Sequence, residues 1–238
     1  MKKTAILAVL FVAAAGSLAA FETTKTLSLP AAGLGALEIQ AGAGSLTVSG
    51  KEDQAGIEVK AEIVARGVGD KEMEAYLKDR VELTLEKRGD RAVLVSRVRE
   101  KFGLFDLNDN TVIHLTVSVP KGLALDIDDG SGSMVVEDLA ASLRIEDGSG
   151  SIRVDRIGGT VTIDDGSGGI EISDVAGDLS IDDGSGEIRI RRIGGTVTVD
   201  DGSGSIDIKD VEKDVRLIST GSGGVDIANV KGRVVRSE

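Results

Sequence analysis

The chain contains no cysteine and no tryptophan, and its 238 residues include only two prolines, one histidine, one tyrosine and four phenylalanines. The missing cysteines exclude thiol catalysis, disulfides, Cys-ligated metals and a lipid-modified cysteine behind a leader. Burial and backbone hydrogen bonding must therefore hold the fold. With His114 as the lone histidine and no G-x-S-x-G motif, a histidine-dependent triad would rest on one residue. His114 lies on the polar face of an expected strand, where it reads as a solvated strand residue. The scarcity of aromatic rings removes the stacking platforms usual in sugar-binding clefts.

Positive charge is also short. Forty acidic residues outnumber 28 basic ones, giving a net charge of −12, and residues 121–238 hold 24 acids against 13 bases. Nucleic acid and anionic lipid are poor partners for such a surface; cations and basic partners are better ones. Long apolar runs are absent too, apart from the start. Lys2 and Lys3 precede an apolar stretch from Ala5 to Ala15, and Ser17-Leu18-Ala19 offers the small residues a signal peptidase reads. Residues 1–19 are expected to be a leader cleaved after Ala19. That makes the protein an exported one, periplasmic or at the cell surface, with no transmembrane segment after cleavage, since a spanning helix needs about 20 apolar residues.

What the chain has in abundance is repetition. From residue 125 onward an 18-residue unit recurs: LDIDDGSGSMVVEDLAAS, LRIEDGSGSIRVDRIGGT, VTIDDGSGGIEISDVAGD, LSIDDGSGEIRIRRIGGT and VTVDDGSGSIDIKDVEKD. A sixth unit, VRLISTGSGGVDIANVKGR, carries one extra residue before its GSG. Within each unit Ile and Val alternate with polar residues at period two, which is the strand signature. Gly-Ser-Gly between the strands is a turn signature. Stacked in register, the units align five columns that hold only Leu, Ile, Val or Met. The first runs Leu125, Leu143, Val161, Leu179, Val197, Val215, and the third runs Met134, Ile152, Ile170, Ile188, Ile206, Val225. A short fixed period with such columns implies units that bury their apolar faces only by stacking. The expected fold is all-β, a parallel β-solenoid of 18-residue coils over residues 123–238, with right-handed winding favoured by the crossover rule.

Charge columns refine the register. Asp138, Arg156, Asp174, Arg192 and Asp210 alternate in sign, as do Arg153, Glu171, Arg189 and Asp207. This alternation reveals a 36-residue double repeat and suggests growth by duplication of coil pairs. Residues 20–122 are less regular and are expected to form a β-rich cap, continuous with the solenoid in one domain. Leu37, Ile39, Leu46 and Val48 flank a degenerate coil turn. Strands are expected over 57–66, 81–87, 91–99 and 111–119, with Gly89-Asp90 as a hairpin turn. One short helix is expected over 70–80, with Asp70 as N-cap and Met73, Tyr76 and Leu77 on its apolar face. The tail around Lys231, Arg233 and Arg236 would protect the other end of the stack.

The candidate site is the acidic turn. Asp128, Glu146, Asp164, Asp182 and Asp200 form one column, and Asp129, Asp147, Asp165, Asp183 and Asp201 form the next. Neither alternates in sign, so like charges stack at about 4.8 Å and something must compensate. One answer is local: each carboxylate accepts hydrogen bonds from the backbone N–H groups of its own Gly-Ser-Gly turn. Acidification would then destabilise the fold. A second answer is a Ca²⁺ ladder between carboxylates of adjacent coils, since calcium prefers oxygen ligands; chelation would then loosen the repeat. A third is that crowding raises the carboxyl pKa. The Ca²⁺-binding β-roll motif, with aspartate after the glycines, is absent here. No other cofactor is implied.

The leader, the Val-Ser-Val-Pro-Lys-Gly stretch at 117–122 and the recurring DGSG-x-I-x-V coils resemble a bacterial family of putative adhesins, domains of undetermined function. The resemblance spans roughly residues 35–235. It implies a β-solenoid in or outside the cell envelope and no catalytic residues to carry over. This chain departs from the pattern in placing Asp where many members have Thr or Ser before Gly. The functional expectation is a non-catalytic envelope or surface protein, an adhesin-like module offering an acidic surface to a protein or glycan. A calcium-stabilised structural rod and a carbohydrate-active β-helix enzyme are the alternatives.

Overall fold

The computed structural model describes residues 8–10, 21–65, 73–99 and 111–237. Its N-terminal strands are β1 (Ala8–Leu10), β2 (Phe21–Pro30), β3 (Ala36–Ala43), β4 (Leu46–Lys51) and β5 (Gly56–Ala65). The helix α1 (Met73–Arg80) follows, then β6 (Val81–Arg88), β7 (Arg91–Val98), β8 (Val112–Pro120) and the long β9 (Ala124–Leu139). From there each coil contributes two strands, such as Val161–Asp165 and Gly168–Val175, on either side of its Gly-Ser-Gly turn.

Register decides the architecture. Leu143 pairs with Val161 and Val161 with Leu179, while Ile152 pairs with Ile170 and Ile170 with Ile188, every ladder parallel. Residues one repeat apart are therefore neighbours. The chain is a parallel β-solenoid. All five aliphatic columns point inward, and every member is buried except Val225, Ile227 and Val230, which have one coil fewer above them.

The N-terminal cap shows a layering that sequence order hides. β3 pairs in parallel with β9 on one side and with β7 on the other, and β4 lies between β9 and β8 in the same way. The degenerate coil of β3 and β4 is thus sandwiched between the first true coil and a layer supplied by later residues. Antiparallel strands close that end: β6 on β7, β5 on β8, and β2 on β5. Gly89, at φ +68°, makes the β6–β7 hairpin turn. Asp70 lies outside the described residues, and α1 packs through Leu77, with the Tyr76 hydroxyl 2.7 Å from Thr111 Oγ1. β1, within the segment read as a leader, pairs antiparallel with Thr24–Thr26. At the far end Val234–Arg236 adds a further strand on Val215–Leu217. There Arg236 stands in the position that Leu217 occupies one coil earlier.

One corner of the solenoid carries strain that composition did not announce. Asp138, Arg156, Asp174, Arg192, Asp210 and Asn229 all have φ between +55° and +63°. This left-handed conformation costs an L-residue roughly 1–2 kcal/mol. Side chains compensate in pairs: Arg156 donates to both carboxylate oxygens of Asp138 (2.7 and 2.9 Å), and Arg192 to both of Asp174 (2.7 and 2.6 Å). Among the described residues, the Asp210 side chain accepts a hydrogen bond only from the Asn229 amide, at 2.9 Å. Asp210→Gly should therefore stabilise the fold by about 0.5–1 kcal/mol and raise the urea midpoint, because glycine adopts this φ without strain. A lowered midpoint would mean that the exposed Asn229 contact outweighs the backbone cost.

Candidate functional site

Alternation within one short strand separates the two acidic columns. In Val161–Asp165 the side chains of Val161, Ile163 and Asp165 are buried, whereas Asp164 is exposed. The parallel register repeats this in every coil. Asp128, Glu146, Asp164, Asp182 and Asp200 form an outer column, and Asp129, Asp147, Asp165, Asp183 and Asp201 an inner one. The inner five are between 0 and 6% exposed. The chain thus keeps a file of carboxyl groups inside its own wall.

The turn satisfies each inner carboxyl only in part. Ser167, Ser185 and Ser203 donate their backbone N–H to Oδ1 of Asp165, Asp183 and Asp201, at 3.2, 3.0 and 3.1 Å. This is the local turn bond expected from the sequence. Oδ2 of these three residues is buried without a hydrogen-bond partner. Asp129 and Asp147 make no hydrogen bond of good geometry through either oxygen, although the backbone N–H of Gly130 near Asp129, and those of Gly148 and Ser149 near Asp147, partly offset their burial. The glycines explain why the chain approaches so closely here. A Cβ on Gly168, at φ +147°, would sit 1.5 Å from the Gly150 carbonyl oxygen, so no other residue fits.

Burial moves these groups towards their neutral form. Asp129 is pushed up to about 7, first by desolvation and then by the Asp147 charge. Asp165 and Asp183 are raised to about 6, again by desolvation first, and Asp147 and Asp201 move the same way. These directions run with the raised-pKa alternative and against the acid destabilisation expected of a carboxylate fully satisfied by its turn. A carboxyl bonded only through Oδ1 while Oδ2 is dehydrated prefers to be protonated. Among the described residues, no group of three or more His, Asp or Glu side chains converges to hold a metal ion.

The outer column behaves differently. Among the described residues, Asp128, Asp164, Asp182 and Asp200 have no cation within ion-pair distance, whereas Glu146 pairs with Arg144. Among the described residues the other charged columns on the surface find partners: Arg153 with Glu171 at 2.8 Å, Lys231 with Glu212 at 2.6 Å, Arg233 with Asp214 at 3.2 Å.

His114 departs from its expected solvated role. It is half-buried, and its Nδ1 accepts the Ser45 backbone N–H at 3.1 Å and lies 2.8 Å from Ser45 Oγ. Because β4 stacks on β8, this histidine ties the degenerate turn to the layer beneath it. Nearby, a groove of about 350 Å³ on the antiparallel sheet is lined by Thr26, Ser28, Glu58, Lys60, Thr116 and Ser118 among others, with no aromatic ring.

No protein-family model matches the chain, and no curated protein matches it. Solved structures do. A putative adhesin from Bacteroides fragilis is 12% identical, with a TM-score of 0.46 over 90% of this chain and 97% of that one. A putative lipid binding protein from Parabacteroides distasonis is 14% identical, with a TM-score of 0.42 over 90% and 97%. A putative cell adhesion protein from Clostridium sporogenes is 15% identical, with a TM-score of 0.37 over 91% and 100%. Adhesin names recur among these neighbours. The likeness is remote in sequence, and the solenoid assignment stands on the strand register alone. No helix among the described residues is long and apolar enough to cross a membrane.

Proposed function

We propose that this chain is an exported, non-catalytic binding module of the cell envelope or cell surface that presents the carboxylate edge of its solenoid to a positively charged partner. One observation carries the reading. Asp164, Asp182 and Asp200 stand one coil apart in an unbroken column, exposed or half-exposed and without ion pairs among the described residues, on a surface where the other charged columns are paired. Three unrelieved charges at about 4.8 Å repel one another, and a cationic partner that bridges them relieves that repulsion on binding. The leader-like start of the sequence supports export. Adhesin-like proteins among the structural neighbours are in keeping with a surface module.

The test uses the mature chain and an Asp164→Asn/Asp182→Asn/Asp200→Asn variant, whose exposed substitutions leave the core untouched. An oligolysine peptide should bind the parent at low salt, and the variant should lose at least tenfold in affinity. Raising ionic strength should weaken the parent more than the variant. In a pull-down from envelope extracts, the same pair should differ in their capture of basic proteins. Equal binding by both would remove the edge from the reading, and cleavage of a cell-wall glycan by the pure protein would overturn the non-catalytic assignment.

A further inference from the structure

The inner column poses a problem that surface binding does not solve. Both oxygens of Asp129 and Asp147, and Oδ2 of Asp165, Asp183 and Asp201, are buried without a hydrogen bond of good geometry, and the five side chains stack coil upon coil in strict register. The negative charge of a buried carboxylate is neutralised by an amine, a metal ion or a proton. Among the described residues no Lys or Arg ion-pairs with them. A calcium ion takes about six to eight oxygens. Each gap between coils offers two carboxyls in a wall closed to solvent, and no three acids converge. A proton needs one donor oxygen and one acceptor oxygen, which carboxyls in register on successive coils can supply.

We infer that the inner aspartate column is a proton-binding ladder, in which each protonated carboxyl donates to the carboxyl of the adjacent coil and so completes the interior. The surroundings are consistent on every side. The neighbouring acids Asp128, Glu146, Asp164, Asp182 and Asp200 point outward, and their negative charge favours proton uptake within. Across the turn, Met134, Ile152, Ile170, Ile188 and Ile206 face inward, while Arg153, Glu171, Arg189 and Asp207 occupy the opposite, outer face. Below Asp129 the register reaches Ala41, and above Asp200 the ladder shifts at Ser219. The column begins and ends without a counter-charge.

The sign follows from the raised folded values, about 7 at Asp129 and about 6 at Asp165 and Asp183. A carboxyl that titrates higher folded than unfolded contributes stability that is complete below about pH 4 and lost as pH rises through about 6 to 7. Glu82, Asp138, Asp174, Asp207 and Asp214 are lowered instead. Their opposing effect sets in below about pH 5, so the range from about pH 5 to 7.5 belongs to the ladder.

Unfolding of the whole mature chain is measured across that range with chelator at fixed ionic strength. The midpoint should fall by several degrees between pH 5 and 8, and the logarithm of the unfolding constant should climb with a slope of about one or more. Asp165→Asn/Asp183→Asn should flatten that slope and unfold at a higher temperature than the parent at pH 8, because each Asn amide supplies the missing donor at every pH. The parent alone gives a second measurement should the variant misfold. Its infrared spectrum should contain a protonated-carboxyl band at pH 5 that disappears between about pH 6 and 8. A flat slope, or the absence of that band, overturns the inference. So does stabilisation by millimolar Ca²⁺ at pH 8 that the double variant loses, which would make the occupant a metal.

Discussion

Gly168→Ala should unfold the middle of the solenoid. The added methyl would lie 1.5 Å from the Gly150 carbonyl oxygen at a φ of +147° that only glycine adopts freely. Relief requires the backbone to move, and the Gly168 N–H would lose its 2.9 Å bond to Ser185 O on the next coil. Steric overlap, backbone strain and a broken ladder act together, so the loss should exceed about 4 kcal/mol, in the range reserved for severe substitutions. Gly169 is the matched control: a Cβ there meets nothing within 4 Å, and the equivalent positions hold Ser151, Glu187 and Ser205. Gly169→Ala should be nearly neutral. Urea unfolding of the two variants decides the matter, and similar midpoints would refute the close-approach account.

Ile172→Asp should be as damaging by a different route. Ile172 is fully buried, at 0% exposure, in a column with Val154 below and Ile190 above. A carboxylate there meets only aliphatic groups, and an uncompensated buried charge costs several kcal/mol. Asp165, seven residues earlier in the same coil, is tolerated because it sits against a turn whose Ser167 N–H it accepts. Coils touch only their neighbours, so the defect should divide the stack. Hydrogen exchange should show protection lost from residue 161 onward and retained in the antiparallel cap of β2, β5 and β8. Uniform loss across the chain would instead mean that cap and coils fold as one cooperative unit.

The coil was legible because its information is local and repeated. Alternating Ile and Val around Gly-Ser-Gly fixes strands, turn and register together, and each of the five columns restates the same conclusion. The same alternation placed Asp165 on the side of Val161 and Ile163, so the inner column could have been separated from the outer one by parity alone. Treating the two adjacent acids as one acidic turn concealed a buried file behind an exposed one. The cap was legible strand by strand but not in its layering. Nothing near Leu46 or Leu115 says that β4 will lie between β8 and β9, because that arrangement depends on pairings between segments far apart in the chain. For the same reason the Ser45–His114 contact carried no sequence signal. The left-handed corner was half hidden: Asp138, Asp174, Asp210 and Asn229 are residue types that tolerate positive φ, but Arg156 and Arg192 are not, and the alternating Asp and Arg read simply as a charge pattern.

The paired corner makes this protein a ruler graduated in double coils. Asp138 clasps Arg156 and Asp174 clasps Arg192, while Arg153 meets Glu171 on the flat face between those clasps. Excising residues 161–178 would set Arg192 over Arg156 and Arg189 over Arg153, like charge on like charge along two edges at once. Excising residues 161–196 would set Asp210 over Arg156 and Asp207 over Arg153, and both of these edges would remain matched. Length in this architecture therefore changes in steps of 36 residues, about 10 Å of shaft, and an odd coil is rejected by the surface although the core would accept it.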